Sequence, residues 1–258
     1  MEILDANQGH SRPDDGPSLE QLHKDGFVFN FSEYFETGWS ILKQDVGGYI
    51  SFLLVAMLIL VVSLITIIGP IFIALPLFAG FITMSKAIYT GEERTFNTFF
   101  KGFESFGPLV GYTFLYILVS GIISLPFLVP IISDFPDLIE LAESDPYGFQ
   151  QQWMLSFWPM MGYSFIVSAL LQALLFFVMP LIIIGKLPVF DAITWSIKLS
   201  LKNFWWILLY SFVVGLIAQA GVYACYIGML FTIPLGETLK MGVYLKVIGP
   251  GSKNGINA

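Results

Sequence analysis

The chain has 258 residues, of which 56% are hydrophobic and only 12% charged, and its mean hydropathy of +0.76 lies far outside soluble usage. A formal charge of -7 offers no basic surface to nucleic acid, and a single cysteine excludes an intramolecular disulfide. His10 and His23 both stand in the polar N-terminal region, which excludes haem or zinc held by histidine inside a membrane.

Residues 1–28 are acidic and proline-bearing, with no basic segment leading into a short apolar core. They read as a disordered, retained cytoplasmic tail rather than a cleaved leader. From residue 29 to 250 the composition is that of a transmembrane domain. A crossing helix needs roughly 20 mostly apolar residues. Six segments meet that need: 49–67, 71–88, 108–132, 158–184, 204–224 and 226–245. Gly69-Pro70 joins the first two and Gly228 marks the break between the last two, so each pair reads as a helical hairpin. Before each odd-numbered span stands a stretch opening on Phe: FSEYFETGWSILK, FNTFFKGFESF and FDAITWSIKLSLK. Near-helical spacing of Phe31, Phe35 and Trp39, of Phe96, Phe100 and Phe103, and of Phe190 and Ile193 predicts amphipathic helices anchored in the interface, aromatic face inward. Residues 133–157 carry Asp134, Asp137, Glu140, Glu143 and Asp145 with no Lys or Arg, and read as an acidic external loop.

Lysine and arginine concentrate in cytoplasmic segments. Here they precede span one, flank the second and fourth connections and close the chain, so both termini, including the 251–258 tail, are expected in the cytoplasm. The even-numbered spans share a Pro-Leu pair beginning at Pro76, Pro180 and Pro234. From the leading Phe to that proline is 45 residues for Phe31 to Pro76, 84 for Phe96 to Pro180 and 44 for Phe190 to Pro234. Units 31–91, 96–186 and 190–249 thus read as three repeats of like orientation, giving an all-α, polytopic membrane protein of three parallel-repeat hairpins. Prolines inside the even-numbered spans predict kinks that open a central cavity or serve packing. Gly80, Gly111, Gly121, Gly162, Gly215 and Gly221 are expected at close helix approaches, with Gln172 and Gln219 as interhelical hydrogen-bonding groups.

The run PLFAGFITMSKAIYTGEERTFNTFFKGF, and later KLPVFDAITWSIKLSLKNFW, resembles the YciC-like bacterial six-span inner-membrane families, over roughly residues 30 to 250. The resemblance implies location and topology, a multi-pass protein of the bacterial inner membrane. It carries no activity, because those families have none established.

No phosphate-binding glycine loop, HExxH, paired-cysteine motif or Ser or Cys nucleophile beside a His is present, so the chain is not expected to be an enzyme or to hold a cofactor. The acidic loop lacks the EF-hand pattern and reads as solvated rather than calcium-binding. What remains is Glu237 and Lys240 in the last apolar stretch. Three residues apart, they share a helix face and can pair, and ionisable residues inside a span usually mark function. A bland reading stands beside this one: Lys240, six residues past Pro234 as Lys186 is past Pro180, would lie near the inner interface with its stem reaching headgroups. Two functions follow. One is a scaffold or accessory subunit binding membrane lipids or protein partners; the other is a channel or transporter with its pathway between the hairpins, gated near Glu237 and Lys240.

Overall fold

The computed structural model describes residues 17–223 and 227–251; the expectations for residues 1–16, for Cys225 and for the tail from 252 onward lie outside them. Among the described residues every regular element is helical.

α1 (Leu19–Asp25) departs from the expected disordered tail. Ser18 Oγ accepts from the Gln21 amide while Gln21 Oε1 accepts from the Ser18 amide, so two otherwise orphaned donors are satisfied reciprocally. Leu19 and Leu22 are buried, and the His23 ring meets Trp195 edge-on at 6.3 Å. α2 (Phe31–Lys43) and α3 (Val46–Ser63) open on side-chain caps, Asn30 to the Glu33 amide and Asp45 to the Gly48 amide. The 3-10 turn Leu64–Thr66 leads to α4 (Gly69–Thr90), with Pro70 in its first turn and left-handed Gly91 as its stop.

The 3-10 helix Phe96–Ser105 comes next, where α-helical spacing was expected. Its buried Phe99, Gly102 and Ser105 repeat every three residues, the period at which a 3-10 helix stacks side chains on one face. α5 (Phe106–Ser144) and α6 (Pro146–Leu174) are 39 and 29 residues long. Residues 133–157, expected as a loop, are therefore helical except for Asp145, whose carboxylate accepts from the Tyr147 amide at 3.2 Å. An N-capping Asp followed by Pro reverses the chain without needing a longer loop. At 1.5 Å per residue α5 is roughly 58 Å long, well past the roughly 30 Å of hydrocarbon it would cross. Tyr163 donates to the Ile123 carbonyl at 2.8 Å and stacks on Phe127 at 3.9 Å, tying α5 to α6.

The fourth expected span is broken: α7 (Val178–Ile183) follows α6 after a turn, and α8 (Val189–Lys202) lies against it. Ser196 of α8 spans the break, accepting from the Phe177 amide at 3.1 Å and donating to the Leu174 carbonyl at 2.9 Å. α9 (Phe204–Tyr223) and α10 (Met229–Val247) close the fold. Among the described residues five stretches are long and apolar enough to cross a membrane: Val46–Thr66, Gly69–Thr90, Phe96–Val129, Pro146–Ile183 and Phe204–Tyr223. They overlap the first five expected spans and fit a membrane-embedded chain. α10 does not join them on composition, because Glu237, Lys240 and Lys246 all fall within its 19 residues.

The helices carrying Pro76, Pro180 and Pro234 each pack against a surface segment: α4 on Phe96–Ser105, α7 on α8, and α10 on α2. The starts of α3, α5 and α9 and the ends of α4, α7 and α10 consequently share one end of the bundle, called basal below. The buried faces of the surface segments combine aromatic and small residues. Tyr34, Gly38, Ile41 and Leu42 of α2, Thr98, Phe99, Gly102 and Ser105, and Ala192, Ser196, Leu199 and Ser200 of α8 point inward. Small residues are needed because backbones nearly touch: a Cβ on Gly38 would lie 2.5 Å from Leu239 Cα, and one on Gly102 would lie 2.6 Å from the Pro76 carbonyl. Of the glycines expected at close approaches, only Gly80, against the Phe99 carbonyl, and Gly221, against Thr232 and Met229, stand at one. Gly121, Gly162 and Gly215 have open space around them, and Gly111 has one atom within 4 Å. Among the described residues neither Gln172 nor Gln219 makes a hydrogen bond between helices.

Candidate functional site

The α9–α10 hairpin sets the position of the charged pair. Thr232 Oγ1 donates to the Ala218 carbonyl at 2.9 Å, and Tyr210 Oη donates to the Leu239 carbonyl at 3.0 Å, so α10 is held in register along α9. Thr238, Leu239 and Gly242 turn toward α2, with the Tyr34 carbonyl against Gly242. The opposite side of the helix carries Glu237 and Lys240. Lys240 Nζ donates to Glu237 Oε1 at 2.8 Å. The Lys240 side chain is 44% exposed and that of Glu237 19%, so the ammonium faces open space while the carboxylate is more enclosed.

At the basal end of α10, Lys246 pairs with Glu33 of α2 at 3.0 Å. Lys240 lies six residues, roughly 9 Å, further into the bundle, and Glu237 about 14 Å. The match with Lys186 does not hold: α7 stops at Ile183 and Lys186 stands beyond it at φ 52°, whereas α10 runs on to Val247. Gly185 and Pro188 end the one helix, whereas the next proline after Pro234 is Pro250, beyond the end of α10.

The pair opens onto a cavity of about 550 Å³ lined by α4, α5, α6, α7, α9 and α10, that is, by all three hairpins. Most of the wall is apolar, contributed by Ile71, Ala74, Leu75, Ile117, Leu175 and Met179 among others. Tyr112, Tyr116, Gln172 and Ser211 also line it, and among the described residues none of these four makes a hydrogen bond. Of the four, Ser211 has a buried hydroxyl, which carries a desolvation cost unless something meets it, whereas Gln172 is exposed. Pro180 lines the cavity; Pro76 and Pro234 are buried elsewhere in α4 and α10, both of which continue helical through them.

The expected interfacial anchors are scattered. Phe31 packs on Tyr210 at 5.0 Å, Trp39 meets Phe231 at 6.0 Å with Lys43 Nζ over its ring at 5.7 Å, and Phe100 meets Phe52 at 5.6 Å. Phe103 stacks on Phe106, Phe35 and Ile193 are partly buried, and Phe96 and Phe190 are exposed. Spacing in the sequence pointed to the charged pair; nothing in it pointed to Tyr112, Tyr116 or Ser211, which lie on apolar helices and meet Glu237 only in three dimensions. Among the described residues no three His, Cys, Asp or Glu side chains converge as a metal site would require. No family model, curated protein or solved structure matches the chain.

Proposed function

We propose that this is an integral membrane protein without a catalytic role, a scaffold or accessory subunit that holds an amphiphile drawn from the bilayer between its hairpins. The observation that carries this reading is the joining, in one cavity, of the Glu237–Lys240 pair, the unpartnered buried hydroxyl of Ser211 and the tyrosines Tyr112 and Tyr116 with an otherwise apolar wall. Its volume lies within the roughly 300–1,000 Å³ of small-molecule sites. An apolar wall favours a hydrocarbon tail, and the polar groups favour a headgroup.

The same reading takes α10 as the sixth span, the three hairpins with their surface segments as repeats of one unit, and both termini as cytoplasmic in the bacterial inner membrane. The packing of the helices carrying Pro76, Pro180 and Pro234 on the surface segment that follows each supports the repeat, with α2 taking the place that follows α10. Membership of a YciC-like family belongs to this proposal too.

The test is native mass spectrometry of protein extracted from phosphatidylethanolamine and phosphatidylglycerol vesicles. The wild type is expected to retain about one lipid per chain, and Ala74→Trp, which fills the wall away from the pair, to lose it. No retained lipid, or equal retention by the variant, overturns the reading. The second reading, a transporter, is favoured by the reach of the cavity from Pro70 at the distal start of α4 to Lys240. Saturable solute flux in liposomes that Glu237→Ala abolishes would establish it over the scaffold.

A further inference from the structure

The cavity is polarised along its length. Ile71, near the distal start of α4, and Ile82 are eleven residues apart, so its wall along this helix extends roughly 16 Å. Pro70, Ile71, Ala74 and Leu75 make the distal part apolar. Tyr112, seven residues into α5, and Ser211, eight residues into α9, stand in the basal half with Lys240. An amphiphile is therefore accommodated in one direction, headgroup basal and tail distal.

The electrostatics select among headgroups. Glu237 and Lys240 neutralise each other at 2.8 Å, and among the described residues the second carboxylate oxygen and the remaining ammonium protons take no partner. A singly charged headgroup satisfies one member and competes with its existing bond, leaving the other charge without its ion partner. A headgroup with both charges lies alongside the pair, cation to carboxylate and anion to ammonium, and leaves every ion paired.

Building on the amphiphile-binding reading above, we infer that the occupant is a slender amphiphile with a zwitterionic headgroup, docked against the closed Glu237–Lys240 pair with its tail toward Ile71. Three single-chain probes of equal acyl length test this in competition, read by native mass spectrometry: lysophosphatidylcholine, lysophosphatidylglycerol and monoacylglycerol. The zwitterionic probe is expected to bind about tenfold more tightly than either of the others. The double exchange Glu237→Lys with Lys240→Glu keeps a closed pair and is expected to keep that preference, whereas Lys240→Gln is expected to reduce it to about twofold or less.

Equal binding of all three probes to the wild type, with Ala74→Trp still blocking them, overturns the headgroup inference and leaves the cavity reading standing. Binding of none, or binding that Ala74→Trp does not affect, overturns both. The wild-type comparison decides the matter even where a variant fails to fold.

Discussion

A Cβ on Gly38 would stand 2.5 Å from Leu239 Cα and 2.6 Å from the Thr238 carbonyl, both backbone atoms that cannot rotate away. Gly38→Ala is therefore expected to push α2 off α10 and to cost about 1–3 kcal/mol, the range for overpacking. Gly121, with nothing within 4 Å of its Cβ position, supplies the contrast: Gly121→Ala is expected to be neutral or up to about 1 kcal/mol more stable. Reversible unfolding in mixed micelles separates the two, and equal effects would show that α2 does not dock this closely. Neither outcome is legible from composition, since both residues are glycines among apolar neighbours. The charged pair differs in this respect: its i,i+3 spacing is visible in the chain, and the 2.8 Å contact follows from helix geometry once α10 forms.

At the level of elements, the break between α6 and α7 depends on one hydroxyl from another helix. Ser196 satisfies both the Phe177 amide and the Leu174 carbonyl, so Ser196→Ala leaves a buried amide and a partly buried carbonyl without those bonds. The expected loss is about 1–3 kcal/mol, measured by denaturant unfolding. On the same helix, Ser200 is fully buried with a hydroxyl that has no partner, so Ser200→Ala is expected to be neutral or slightly stabilising. A larger loss for Ser200→Ala than for Ser196→Ala would contradict this account. The apolar run from 158 to 184 reads as one continuous span because every residue near the break is apolar. The capping serine lies some twenty positions downstream, out of reach of any local pattern.

For the molecule as a whole, the turn at Asp145 and the exposed Lys101 stand at opposite ends of α5. With Cys225→Ala as background, single cysteines at these positions are expected to react with a membrane-impermeant maleimide from opposite sides of the membrane. Labelling from the same side would remove α5 as a crossing helix. Length and hydropathy were enough to determine a helical chain with at least five membrane-length stretches, and the order of charged residues an acidic region apart from the basic ones. The bilayer imposes these properties residue by residue, through the cost of unpaired backbone and of charge. Only the tertiary structure decided that α2 docks on α10, that Gly38 and Gly102 meet the backbones of α10 and α4, and that Glu237 shares a cavity with Tyr112 and Ser211. Those relations join residues 100 or more positions apart in some cases, and the close approach of backbones that creates them leaves no periodic trace in the chain.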